Sequence, residues 1–307
     1  MMKSVPVRAG LDLPSLGEEH PVRRTVRAAI RRKRGVDDTR EVTGGHAHWR
    51  AGYYGLDRVR LFAAARSDQR RAILEACGRA LLEEAYFIEK CGIGYAAKMV
   101  LLAESSCERQ LYGIIAGDEA AHLAAIARFV TPDESAAVHN PFLALLEELV
   151  EEGDRHSLQL IVQVVLEGWG LDHYRSLRDA CGSYSLKVAL SVILADEATH
   201  HGSGVAFTRE AAMSASARDY ATDVMVRFLA MVQVGPVSVA GAIERELGGL
   251  TAAQRSQVMS DLGGEQHAAV RLDKLRALMG KADGAHPVLE RLEARGCFRP
   301  VALREAA

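Results

Sequence analysis

Between about residues 55 and 210, apolar side chains recur at three- and four-residue intervals, which places them on one face of an α-helix. The pattern predicts a long first helix from near Asp68 to near Ala103. Ser105-Ser106-Cys107-Glu108 then reads as a capping box, with the Ser105 hydroxyl accepting from an orphan N–H and Glu108 reaching back. A second helix runs to about Val130 and is broken by Thr131-Pro132-Asp133. Residues 133–153 form a crossover holding a short helix, roughly Pro141 to Glu152, with Pro in its first turn. A third helix runs from near Asp154 to Ala180, with Gly182 as its C-terminal glycine. Ser183 suits the N-cap of a fourth helix that ends near Glu210. Beyond it, Ala217, Tyr220, Ala221, Val224, Met225, Phe228, Leu229 and Val232 keep the same spacing, and shorter helices follow over 237–247, 251–262, 264–279 and 286–295. The fold class is all-α, divided into an N-terminal extension over 1–54, a helical core over 55–210 and C-terminal helices over 211–307.

Composition supports helices. Ala and Leu are common, Pro is scarce at 8, and aromatics are only 6% of the 307 residues. A formal net charge of −2 predicts no acidic or basic partner for the chain as a whole. The exception is local. Arg23, Arg24, Arg27, Arg31, Arg32, Lys33 and Arg34 make a basic cluster within an otherwise irregular start that carries Pro6, Pro14, Pro21, Gly35, Gly44 and Gly45. The cluster reads either as a docking patch for an acidic carrier, electron donor or nucleic acid, or as a solvated helix face or arm. The absence of interleaved aromatics argues against nucleic acid. Cys77, Cys91, Cys107, Cys181 and Cys297 are odd in number and form no C-x-x-C pair, which argues against a zinc ribbon, a rubredoxin-type site or a disulfide framework. With no apolar signal core and no run near the roughly 18 apolar residues of a membrane span, the expectation is a cytoplasmic protein without membrane contact.

The chemistry lies in two Glu-x-x-His pairs, Glu119 with His122 and Glu197 with His200. Each has a further Glu 30 residues upstream, Glu89 and Glu167. Residues i and i+3 share a helix face, so each pair aims a carboxylate and an imidazole at one point. Four carboxylates and two imidazoles form the ligand set of a dinuclear iron or manganese site in a four-helix bundle, with a mixed manganese–iron pair as a variant. The two halves repeat at an offset of 78 positions: 89 to 167, 119 to 197 and 122 to 200. Asp118 maps to Asp196 and Gly92 to Gly170. The midpoint of Glu89 and Glu119 is position 104, beside the capping box, and that of Glu167 and Glu197 is Gly182. Fifteen residues at 1.5 Å put both members of each pair about 22 Å from their turn, as an antiparallel hairpin requires.

Other residues fall on or near the metal-facing stripe: Tyr86, Ile93, Tyr112, Ile115, Gln163, Leu171, Tyr174 and Ile193. Of these, Tyr86, Ile93, Ile115, Gln163 and Ile193, with Gly92 and Gly170, are the candidate substrate lining. The two glycines either clear space for O₂ or substrate, or allow close helix packing. Asp118 and Asp196 are candidates to accept the outer N–H of a ligand His and fix its tautomer. Tyr112 and Tyr174 read as electron or proton relays or as ordinary buried tyrosines. His201 reads as a bystander to His200 or as a nearby proton donor. His46-Ala47-His48-Trp49 has no matching carboxylate spacing.

With Asp118-Glu119-x-x-His122 and Asp196-Glu197-x-x-His200 in view, residues 68 to 210 resemble the ferritin-like diiron carboxylate superfamily. The Asp-Glu-x-x-His form is similar to that of soluble acyl-carrier desaturases, bacterial multicomponent monooxygenases and rubrerythrins. The resemblance implies a ferritin-like four-helix bundle with additional N- and C-terminal helices. It implies Glu89, Glu119 and His122 around one iron, and Glu167, Glu197 and His200 around the other. Three departures stand out. The Arg that often precedes the second-pair His is Thr199, the extra His of arylamine N-oxygenases is Ile193, and the rubredoxin module of rubrerythrins is absent. The expected function is a diiron oxidase or oxygenase that uses O₂ to hydroxylate, desaturate, N-oxygenate or cleave a small organic substrate. Electrons would come from an external donor of ferredoxin or flavodoxin type, and a homodimer is compatible with the C-terminal helices. The alternative is a ferroxidase or peroxide scavenger with no organic substrate.

Overall fold

The computed structural model describes residues 9–14, 16–17, 19–34, 47–133, 140–210 and 213–301. Among them the protein is all-helical, with no strand. In chain order the α-helices are α1 (Pro21–Arg34), α2 (Arg60–Ala64), α3 (Ser67–Leu102), α4 (Ser106–Ile126), α5 (Pro141–Glu152), α6 (Arg155–Leu158), α7 (Glu167–Ala180) and α8 (Tyr184–Glu210). Then come α9 (Ala215–Gln233), α10 (Val237–Leu247), α11 (Ala252–Asp261), α12 (Gly264–Gly280) and α13 (His286–Ala294). The expected positions Pro6, Gly35, Gly44, Gly45 and His46, and residues 134–139 of the crossover, lie outside the described residues. No single described helix is long and apolar enough to cross a membrane.

The chain forms two compact units, Met1–Gly44 with Leu81–Arg155, and Gly45–Ala80 with His156–Ala307. In the first unit, the later part of α3 lies beside α4. Tyr95 meets Tyr112 edge-on at 6.3 Å, and both rings are buried with Met99, Ile115 and Ile126. Lys98 crosses to α5 and donates to the carbonyls of Val150 (2.7 Å) and Glu151 (3.0 Å), capping acceptors the helix end leaves open. Burial lowers the Lys98 pKa. Residues 9–13 lie on α3, where Lys90 donates to the carbonyls of Leu11 and Leu13. Gly94 makes the close approach possible, since a Cβ there would sit 2.9 Å from the carbonyl carbon of Ala9.

The Ser105 cap forms as expected: its hydroxyl accepts from Glu108 N at 3.1 Å. The other half of the box does not. Glu108 accepts from Glu104 N (2.8 Å) and from Arg155 Nε (2.8 Å), because a buried carboxylate gains more from a guanidinium than from its own N-cap. Burial pushes the Glu108 pKa up, but the Arg155 and Glu104 hydrogen bonds outweigh it and hold the group below the usual carboxylate value. A lowered folded pKa means stabilisation that is fully present above the unfolded value and lost as pH falls through the folded one. Arg155→Met is therefore expected to destabilise the protein by about 3 kcal/mol at neutral pH, since it strands a buried carboxylate. The gap between variant and wild type should close as pH drops below the ordinary carboxylate range. Urea midpoints at neutral and acidic pH check this, and a gap that widened in acid would contradict it.

Helix α4 ends at Ile126, not Val130. Phe129 N turns back to Ile126 O at 2.9 Å, and the buried Phe129 and Val130 draw the chain inward. Helix α5 begins as predicted, with Asn140 accepting from Phe142 N and Leu143 N and Pro in the first turn.

In the second unit, α7 and α8 form a hairpin joined by Cys181, Gly182 and Ser183. Gly182 follows the end of α7 as expected, though its backbone is not left-handed. The helix stops because Cys181 turns extended (φ −68°, ψ 132°), and Gly182 N donates to His48 O at 2.7 Å. Trp49 secures the same strap by donating from Nε1 to Leu177 O at 2.8 Å. Ser183 does cap α8, accepting from Leu186 N at 3.4 Å. The predicted third helix is interrupted. Residues Gln159–Leu166 form a π-helical segment between α6 and α7, so one extra residue enters each turn just before Glu167. The helices α9, α12 and α13 pack through Val224, Met225, Phe228, Leu272, Leu275, Val288 and Leu292, in the spacing the sequence shows.

Candidate metal centre

Within the first unit, α3 contributes Glu89 and α4 contributes Glu119 and His122. Glu89 and His122 are each 1% exposed and Glu119 5%. His122 Nδ1 lies 3.2 Å from Glu89 Oε2, and one ligand atom from each of the three residues lies within 4.8 Å of the others. This buried Glu/His group could hold a metal ion. The matched height of Glu89 and Glu119, inferred from a turn near position 104, is what brings them together.

The donor set fits a cation on electrostatic grounds. Two carboxylates and one imidazole share a place with almost no solvent. Charges placed there are costly unless a positive partner compensates them. Nearby, burial first, then Glu147, Glu119 and Glu151, push the Cys91 thiol up to about 12. Oxygen and nitrogen donors without thiolate suit iron or manganese rather than a soft ion.

Gly92 has a specific purpose here. A Cβ at that position would fall 2.8 Å from Glu119 Cδ and 3.2 Å from its Cγ. The missing side chain makes room for the ligand carboxylate itself. Gly170 has no such purpose, because a Cβ there would meet only Tyr174 Cδ2 at 4.0 Å. The pairing of the two glycines in the sequence is therefore not a pairing of roles.

In the second unit, α7 carries Glu167, and α8 carries Glu197 and His200. Glu197 Oε2 lies 3.9 Å from His200 Nδ1, and Glu167 and His200 present ligand atoms within 4.8 Å of each other. Glu197 and His200 are buried and Glu167 is half-buried. The tight glycines here are Gly168 and Gly204. A Cβ at Gly168 would meet His201 Nδ1 at 2.9 Å and Leu278 Cδ1 at 2.9 Å, and one at Gly204 would meet the carbonyl carbon of Gln163 at 3.2 Å. Neither stands out in the sequence, since nothing in a lone helical glycine reveals which neighbour will approach.

Gln163 links this half to the π-helical segment. It is fully buried, and its Nε2 donates to His200 O (3.3 Å) and Ser203 Oγ (3.1 Å). His201 Nδ1 in turn donates to Gln163 O at 3.0 Å. His201 is thus turned to the backbone of the π-helical segment. Ile193 and Tyr174 are buried in this unit, and Leu171 and Gly170 half-buried. Tyr86, Tyr112 and Ile115 are buried in the first unit, and Gly92 and Ile93 half-buried. Asp118 is buried and Asp196 half-buried.

No protein-family model, curated protein or solved structure matches this chain. The chemistry of the site is therefore argued from its own residues. Burial separates the Glu/His groups from ordinary surface carboxylates, and burial of unlike titratable groups in one place is a mark of a functional site. His173, outside both groups, shows the contrast: burial, then Arg271, depress its pKa to about 4, so it stays a neutral packing residue with Tyr174 at 5.9 Å.

Proposed function

We propose that this protein is a non-haem dinuclear metal oxidase or oxygenase that uses O₂ to oxidise a small organic substrate. The observation that carries the reading is the buried Glu89, Glu119 and His122 group, repeated in sequence as Glu167, Glu197 and His200. In this reading each triplet binds one metal ion, iron by preference, as the resemblance to the ferritin-like diiron proteins implies. When bound, the metal pair supplies the reduction of O₂ and the oxidising power for hydroxylation, desaturation, N-oxygenation or cleavage. The protein's own residues do the rest. Gly92 clears the position of the Glu119 carboxylate, and burial keeps bulk water from the ligands. Asp118 and Asp196 serve to hold the ligand imidazoles in one tautomer. Gln163 fixes the backbone of His200 against the π-helical segment. Electrons come from a separate donor of ferredoxin or flavodoxin type, since the chain carries no flavin, nicotinamide or iron–sulfur motif.

An oxygen electrode tests the proposal. The Fe(II)-loaded protein, with an external reductant and a panel of small organic compounds, is expected to consume O₂ faster when a substrate is present, with one oxidised product per O₂. Rapid Fe(II) oxidation or peroxide turnover, at enzymatic rates and indifferent to every organic additive, would assign a ferroxidase or peroxide scavenger instead.

A further inference from the structure

Helix α8 buries one side of itself and presents the other without charge. From Tyr184 to Ala206 it exposes nine residues, and none of them is charged. The charged residues of that stretch, Lys187, Asp196 and Glu197, are half-buried or buried. Tyr184 is 83% accessible, Val188 47% and Val192 44%, at successive four-residue steps along one face. The same face continues through Ala195, Thr199, Gly202 and Ala206, all exposed. By helical spacing it lies on the side of α8 opposite Glu197 and His200. The Ser191 hydroxyl within it donates to Lys187 O at 2.8 Å, so it brings no unmet donor to the surface. The exposed face of a helix ordinarily carries charged side chains. An uncharged stripe about 33 Å long, at 1.5 Å per residue, is instead the form of a contact surface.

We propose that this face of α8 pairs antiparallel with the same face of a second copy, about a two-fold axis that crosses the helix at Ala195. Side-chain size along the stripe carries the argument. The bulky residues lie in its N-terminal half and the small ones in its C-terminal half. Antiparallel pairing sets Tyr184 level with Ala206 of the second copy, Val188 with Gly202 and Val192 with Ala198. Each exposed position from Tyr184 to Ala206 has an exposed counterpart equally far on the other side of Ala195. A self-complementary two-fold contact requires that pattern. Parallel pairing would stack Tyr184 on Tyr184 and leave a gap at Gly202. Full cover of the stripe removes roughly 600 Å² from each copy, which reaches the total of roughly 1,200 Å² at the low end of stable interfaces. A nucleic acid or a charged protein would find no opposite charge on this face. A lipid surface would need flanking cations, and Lys187 is the only Lys or Arg from Tyr184 to Ala206. Pairing supports, from its outer side, the helix that carries Glu197 and His200.

Sedimentation equilibrium of the full chain tests the pairing. A monomer–dimer equilibrium is expected at micromolar concentration, with a melting temperature that rises with protein concentration. Val188→Glu with Val192→Glu should weaken the dimer at least roughly 100-fold, because four like charges meet in it. Both positions are exposed, so helical circular dichroism should be unchanged. Engineered thiols test the register, in a Cys107→Ser background that removes the exposed native thiol. Ala195→Cys should link two copies on mild oxidation with diamide, since the two-fold axis brings that position against itself. Tyr184→Cys should not, because antiparallel pairing holds its two copies about 33 Å apart. A monomer at every concentration overturns the proposal, as does a dimer that the two glutamates leave intact. Linkage through Tyr184→Cys and not through Ala195→Cys overturns the antiparallel arrangement, and the proposal with it.

Discussion

Glu119→Gln is expected to separate metal binding from folding. The substitution keeps the shape of a buried ligand and removes its charge. Wild-type protein purified with Fe(II) or Mn(II) should carry two metal ions per chain, and the variant at most one. Their unfolding should differ in opposite directions with and without metal. In the metal-free protein, Glu89 and Glu119 oppose each other within 4.8 Å. At an effective dielectric of about 20 that repulsion is about 3 kcal/mol, a ceiling because one carboxylate can take up a proton instead. Metal-free Glu119→Gln should therefore melt above metal-free wild type. With metal at about a thousand times its dissociation constant, wild type gains about 4.1 kcal/mol that the variant lacks. The ranking of the two melting curves should invert on addition of metal. Equal metal content in the two proteins, or parallel shifts on adding metal, would remove Glu119 from the site. Glu197→Gln tests the second triplet in the same way.

What the sequence revealed, and what it hid, divides along a physical line. Features fixed by local chemistry were legible. Ser105 caps its helix because a hydroxyl oxygen there finds an orphan N–H whatever else surrounds it, and Pro141 opens a helix because its missing N–H costs nothing in a first turn. Glu119 and His122 share a face because helical periodicity leaves no alternative. Features decided by a distant partner were not legible. Glu108 was placed in a capping box by its spacing from Ser105, but Arg155, 47 residues on, holds its carboxylate. Gly182 was read as the C-terminal glycine of its helix, but that its N–H goes to His48 O could not be read. The π-helical segment over Gln159–Leu166 is apolar throughout, apart from Gln159 and Gln163, and carries no Gly or Pro to mark it. Its register shift is set by what the Gln163 amide and carbonyl bind on α8, which no helical wheel contains. The doubled pattern also suggested more symmetry than exists. The offset of 78 preserves the ligands, but a neighbour requires Gly92 and Gly94 in one half and Gly168 and Gly204 in the other.

That broken symmetry makes a paired experiment on Gly92 and Gly170 decisive. Both lie inside helices, where Gly costs about 1 kcal/mol relative to Ala. Gly170→Ala is expected to recover about that amount, because its Cβ would have only Tyr174 Cδ2 as a neighbour, at an ordinary 4.0 Å. Its metal affinity should stay within about twofold of wild type, since no ligand moves. Gly92→Ala gains the same helix propensity but drives a methyl group to 2.8 Å from Glu119 Cδ, so the carboxylate must shift. A displaced ligand weakens metal binding by roughly 10–100-fold, the loss found when the groups that orient a ligand are removed. Without metal, Gly92→Ala should lose less stability than it does with metal, because no bound ion then fixes the position of the Glu119 carboxylate. With metal it should be clearly less stable. Competition against a chelator of known affinity measures the binding, and thermal unfolding with and without metal measures the rest. If Gly92→Ala binds metal as wild type does, the glycine serves helix packing and the Glu119 carboxylate lies elsewhere in the loaded protein. If Gly170→Ala loses metal as well, the two halves are more alike than the positions of their neighbours allow.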